Sequence, residues 1–162
     1  MDDTAVRPDL KRPLLTFTLV LIGGQALLIL LESLFPGLKI PDSLNLIVTI
    51  AGAIIAGRGF AQRHLRAPDK REALRFGLAA TVVSALLALV TLWILFRIYD
   101  LPLTMENLAL GLGGGDSSLT GFLRDWLWAI LAFGLLLTFG LTAAGLSSGA
   151  RGWLKRQAKA AR

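Results

Sequence analysis

The chain has 162 residues, of which 54% are hydrophobic and 17% charged; 17 Lys and Arg stand against 11 Asp and Glu, a net charge of +6. Soluble domains carry about 25% charged residues, and the shortfall here is concentrated in long uncharged runs, which excludes a soluble globular protein and a disordered one. The absence of cysteine and the single histidine exclude disulfides, thiolate nucleophiles and multi-histidine metal sites.

What remains is an all-α integral membrane protein, and the chain contains four runs long enough to cross about 30 Å of hydrocarbon. The first spans residues 13–35, with Pro13 at its start and Pro36-Gly37 as its stop. Asp2 and Asp3 ahead of it, and no small-x-small site after it, point to an uncleaved anchor rather than a signal peptide. The second spans 43–61, the third 73–97 and the fourth 121–147. The expected architecture is a single four-helix transmembrane bundle without an internal repeat.

Loop charge orients it. Fourteen of the 17 Lys and Arg fall in the N-terminal tail, the loop 61–74 with its flanks, and the C-terminal tail. Lys39, Arg97 and Arg124 lie on the other side. Both termini and the second loop are therefore expected in the cytoplasm, and an even number of spans agrees. Phe17, Phe60, Phe76 and Trp153 would form the inner aromatic belt, and Phe35, Trp93, Phe96, Tyr99, Phe122, Trp126 and Trp128 the outer one.

The basic loop ends in Pro68-Asp69, with Glu72 placed for a capping box that starts the third helix. Arg66 is placed to pair with Glu72 or with lipid phosphate. His64, with no cysteine or carboxylate neighbour, reads as a solvated loop residue. The third loop, 98–120, is oddly apolar and ends in the glycine-rich stretch 111–115, which lacks the Lys-Ser/Thr of a phosphate loop and reads as a flexible connector.

Lipid is as apolar as leucine, so helix association needs small residues for close approach and polar ones for hydrogen bonds. Such stripes are Thr18, Gln25 and Glu32 on the first helix and Asn45, Thr49, Gly52, Ala56 and Gly59 on the second. On the third they are Gly77, Thr81, Ser84, Ala88 and Thr91, and on the fourth Gly134, Thr138, Leu141 and Gly145.

The candidate intramembrane polar site is Gln25 with Glu32. An intramembrane carboxylate is a functional hypothesis by default; the structural alternative is an interfacial pair of Glu32 with Arg97 or Arg124. Gln25 is expected to hydrogen-bond a neighbouring helix. No cofactor or metal is expected, and topology accounts for the basic segments without nucleic acid. No serine has a base at a shared depth, which argues against an enzyme.

Gly57, Phe60, Arg66, Pro68, Glu72 and Phe76 together resemble the signature of a family of small four-helix bacterial inner-membrane proteins of unknown function: Gly-x-x-Phe closing the second helix, then Arg-x-Pro-x-x-x-Glu leading into the third. The resemblance covers this hairpin and implies localisation in the inner membrane and topology, not an activity. The functional expectation is a non-enzymatic accessory or structural subunit acting through a partner or as a homo-oligomer. The alternative is a homo-oligomeric proton-coupled solute transporter using Glu32. In that respect the chain resembles small multidrug-resistance pumps, whose glutamate lies deeper and whose chain is shorter.

Overall fold

A computed structural model of the chain describes residues 9–35, 43–98, 100, 102, 104, 106–108 and 117–161, with the side chains of Glu32, Ser43, Leu95 and 117–120 outside the description. Among the described residues the protein is all-helical, without strands. The helices are α1 (Lys11–Leu34), α2 (Ser43–His64), α3 (Lys70–Ile98) and α4 (Ser117–Ala160). All four contain a stretch long and apolar enough to cross a membrane. The loop 36–42 and most of 98–120, with its glycine-rich stretch, lie outside the described residues.

Three of the helices lie close to their expected bounds; α4 does not. Its 44 residues extend about 66 Å at 1.5 Å per residue, twice the hydrocarbon thickness. The expected end near 147 marks only the end of the apolar run. Beyond it, Leu, Lys, Arg, Gln and Ala are all good helix formers and no proline intervenes, so the helix runs on to Ala160.

The chain divides into two units, Met1–Thr81 with Thr138–Arg162, and Val82–Leu137. In the first unit four pairwise contacts close a ring around one core. Gly24 of α1 lies against Val48 of α2, and Phe17 lies against Gly52. Gly57 of α2 meets the backbone of Leu146 on α4, and Gly149 of α4 meets the backbone of Ile54. Gly77 of α3 lies against Phe139 and Ala143 of α4. Phe76 of α3 contacts Phe17 of α1 edge-on, with centroids 5.8 Å apart and planes at 77°. The order around the unit is thus α1, α2, α4, α3.

The largest fully buried side chains are Phe17, Phe60, Phe76, Leu146 and Thr142. The three phenylalanines expected in an interfacial belt are instead the core of this unit. Both placements suit an aromatic residue near a helix end; here Phe17 packs against Gly52 of α2 and against Phe76 of α3. Most other large apolar residues are exposed, as a lipid-facing surface requires.

The polar stripes pack differently from expectation. The hydroxyls of Thr18, Thr49, Thr81 and Thr91 donate to carbonyls of Leu14, Asn45, Gly77 and Leu87, one turn back on their own helices, at 2.8–2.9 Å. The same holds for buried Thr142, which donates to Thr138 at 2.8 Å. These groups are silenced within a helix and do not link helices. Gly52, Ala56, Gly77 and Gly145 do lie in the buried stripe, whereas Asn45, Ala88 and Gly134 are exposed.

The contacts join short stretches of similar sequence that hydropathy conceals. Ala53-x-x-x-Gly57 and Gly145-x-x-x-Gly149 face each other reciprocally: the glycine closing each motif abuts the residue after the other's first member, and the first members themselves meet. Phe17 and Phe76, which touch, occupy equivalent places in Lys11-Arg12…Leu15…Phe17…Leu19 and Lys70-Arg71…Leu74…Phe76…Leu78. The helices that follow carry Arg58-Gly59-Phe60-Ala61-Gln62-Arg63 and Arg151-Gly152-Trp153-Leu154-Lys155-Arg156 near their C-termini. In the first unit these related stretches bring α2 and α4 together at Ala53/Gly145, and α1 and α3 together at Phe17/Phe76.

In the second unit Leu127 is buried, Phe122 stacks on Trp126 with centroids 6.2 Å apart, and Trp93 and Trp128 are exposed. The Asp100 N–H bonds back to the Arg97 carbonyl at 3.4 Å, with Asp100 in the left-handed region at φ 50°.

A methyl group at Gly57 or Gly149 would overlap the facing carbonyl, whereas at Gly59 it meets nothing within 4 Å. Gly57→Ala and Gly149→Ala should each destabilise the bundle by about 1–3 kcal/mol, and Gly59→Ala should leave it unchanged or more stable. Thermal unfolding in detergent, followed by loss of the monodisperse chromatographic peak, reads all three.

Candidate functional site

The polar residues the sequence singles out fall into two groups, and only one is assembled among the described residues. It is the turn between α2 and α3. Helix α2 ends at His64 with the Leu65 N–H bonded to the Ala61 carbonyl at 2.9 Å. Leu65 then takes a left-handed conformation, φ 51°, that L side chains adopt at a cost. Pro68 is buried beyond it.

The capping box forms in both directions. The Glu72 N–H donates to Asp69 Oδ1 at 2.7 Å, and the Asp69 N–H donates to Glu72 Oε2 at 2.8 Å. Two orphan donors of the α3 N-terminus are thereby satisfied. Arg66 closes the turn with a fork: Nη1 donates to Glu72 Oε2 at 2.9 Å and Nη2 to Oε1 at 2.6 Å. Glu72 is 7% exposed, so its carboxylate is held by three charge-assisted bonds in a partly desolvated place, where such bonds are strong. Hydrogen bonding to this carboxylate raises the Arg66 guanidinium above its ordinary pKa.

The ring of Phe60 joins this turn to the core. The Arg66 guanidinium carbon lies 5.6 Å from its centroid, within cation–π range. His64 lies against the same ring, centroids 4.5 Å apart. His64 is thus a half-buried residue of the last turn of α2, not a solvated loop residue. Of the six residues of the hairpin signature, Phe60, Arg66 and Glu72 are joined by direct contacts, Pro68 is buried, Gly57 lies against Leu146 and Phe76 against Phe17, whereas Leu65 is 74% exposed.

The second group is not assembled. Gln25 is half-buried on α1 and has no hydrogen-bond partner among the described residues, in place of the expected bond to another helix. Glu32 lies on α1, but its side chain falls outside the described residues. Arg97 lies over the Trp93 ring at 5.6 Å, and exposed Arg124 approaches Asp125 at 3.5 Å. Among the described residues no cluster of acids or histidines could hold a metal ion.

Sequence reasoning missed the α4 half of the core, Thr142, Leu146, Gly149 and Ala150. The signal that finds it is the second copy of Arg-Gly-aromatic-x-x-Arg, which marks where α4 corresponds to the end of α2.

In a double-mutant cycle, Arg66→Ala and Glu72→Ala should be non-additive, with a coupling of about 0.5–3 kcal/mol, because either change alone strands its partner. Asp69→Ala should remove only the cap, about 0.5–2 kcal/mol. Thermal unfolding of the four variants in one detergent measures both. Compared with known protein families, with characterised proteins and with solved structures, the chain matches none.

Proposed function

We propose that this protein is a multi-pass protein of a bacterial inner membrane, with both termini and the α2–α3 turn in the cytoplasm, acting as a non-enzymatic accessory subunit that docks a partner on that turn. The excess of Lys and Arg on one side supports the orientation. The hairpin resemblance supports the membrane. The lack of cysteine and of a serine with a base at its depth supports a non-enzymatic role.

One observation carries the docking reading: Leu65, 74% exposed and apolar, is held in a left-handed backbone conformation by its clasped neighbours. A connector has no need of a leucine there. Glycine or asparagine suits that conformation better, and an exposed apolar side chain adds nothing to the fold. Rigid presentation of an apolar anchor beside Arg63, Arg66 and Lys70 fits a surface with an apolar pocket and an acidic rim.

The test separates binding from folding. Leu65→Gly relieves the backbone, so the variant should be more stable by about 1 kcal/mol, yet lose the partner. Native mass spectrometry of protein released from membrane vesicles should show a heteromeric complex for the wild type and none for Leu65→Gly. A complex retained by the variant, or a wild type found only alone or with itself, defeats this reading.

A further inference from the structure

Within the apolar stretches of the first unit, hydroxyls and carboxamides fare differently. The hydroxyls of Thr18, Thr49, Thr81 and Thr142 are satisfied by carbonyls of their own helices. The two carboxamides, Gln25 on α1 and Asn45 on α2, have no hydrogen-bond partner among the described residues. A hydroxyl in that condition, such as Ser84 in the second unit, can turn to the carbonyl one turn back. A carboxamide has both a donor and an acceptor to satisfy, and leaving them to hydrocarbon is costly.

The two amides stand together. Gly24 lies against Val48, and Gly52 against Phe17 and Val20, so α1 and α2 run antiparallel. Counted from the first contact at 1.5 Å per residue, Gln25 and Asn45 differ in depth by about 3 Å. The apolar stretch of α1 continues to Leu31, about 9 Å beyond Gln25, so both amides lie inside the hydrocarbon. They also share a side. At about 100° per residue, Gln25 is about 40° from buried Leu21, and Asn45 is about 20° from buried Gly52 and Ala56. Both amides thus continue the faces that form the core, yet Gln25 is half-buried and Asn45 exposed. On α1 and α2 the packed core stops where they begin.

We propose that Gln25 and Asn45 form a hydrated binding site on the α1–α2 pair for a small uncharged solute that donates and accepts hydrogen bonds, such as a hydroxyl- or amide-bearing molecule. Two amides on adjacent helices offer both kinds of partner at one depth. The lack of charge sets the ligand class. No ionisable residue lies between Arg12 and Glu32 or between Asp42 and Arg58, so an ion would shed its hydration with no counter-charge to replace it. The inference is independent of the partner reading, since it uses no residue of the α2–α3 turn.

The chain contains no cysteine, so a single substitution gives a single thiol, and a hydrated thiol ionises and reacts far more readily than one in lipid. Gln25→Cys, Asn45→Cys and Thr49→Cys are placed in nanodiscs, where both membrane faces are accessible. Thr49→Cys, one turn below Asn45, keeps both amides. Leu27→Cys and Ile47→Cys are the controls: they lie near the same depth, about 160° around their helices from the amides, and Leu27 and Ile47 are 55% and 56% exposed. Each variant that gives a monodisperse chromatographic peak is treated with uncharged hydroxyethyl methanethiosulfonate, then with its cationic trimethylammonium and anionic sulfonate counterparts. The site thiols should react with the uncharged reagent at least about tenfold faster than the controls. They should also prefer it to either charged reagent, each rate being scaled to that with a free thiol in solution. Loss of the other amide, in Gln25→Cys/Asn45→Leu and Asn45→Cys/Gln25→Leu, should slow the reaction towards that of the controls. Equal rates at site and control thiols, charged reagents as fast as the uncharged one, or rates unchanged by loss of the second amide would each overturn the proposal.

Discussion

The structure of the first unit depends on the approach of α2 and α4 to backbone contact. In lipid, apolar surface gains nothing by being buried against another apolar surface, so a helix pair holds through close packing and the many small dispersion contacts it permits. Gly57 and Gly149 each remove the side chain that would keep the facing carbonyl away, and Ala53 and Gly145 extend the contact. Near this crossing Phe60 of α2 and Leu146 of α4 are fully buried, and Phe17 of α1 meets Phe76 of α3 edge-on. A bulkier residue at the crossing would part the helices and loosen the packing that buries these side chains.

The turn between α2 and α3 extends this logic into the polar region. Phe60 is at once a core residue and the platform for Arg66 and His64. Through Arg66 the core reaches Glu72, and through Glu72 it reaches the N-terminus of α3. The negative charge of Glu72 also lies favourably at the positive end of the α3 dipole. Packing, capping and the ion pair therefore act on one short segment.

The four spans and the capping box were legible because each rests on a local pattern: an uncharged run, or a carboxylate three residues from an acidic cap. Phe17, Phe60 and Phe76 lie in the core rather than in a belt, a distinction hidden in the sequence because an aromatic near a helix end suits both, and only contacts with other helices, such as Phe17 with Gly52 and Phe76, separate them. The length of α4 was hidden because Arg151, Lys155 and Arg156 end the apolar run without ending the helix. The likeness of the two stretches is hidden because 40 residues separate Phe17 from Gly57 but 73 separate Phe76 from Gly149, and because Ala150 separates Gly149 from Arg151 where Gly57 directly precedes Arg58.

The places where these similar stretches differ are as informative as those where they agree. Lys11-Arg12 and Lys70-Arg71 open α1 and α3 alike, but the next residue is Pro13 in one and Glu72 in the other. In the first turn of α1, proline lacks only an N–H that would have no intrahelical partner. Helix α3 follows a reversal of the chain within a few residues of α2, so its start must be tied to the helix before it. A carboxylate at that place accepts from both the Asp69 backbone and Arg66, whereas a proline has no group to offer. The clasp is thus what distinguishes the start of α3 from that of α1, and the exposed Leu65 lies within the turn it closes.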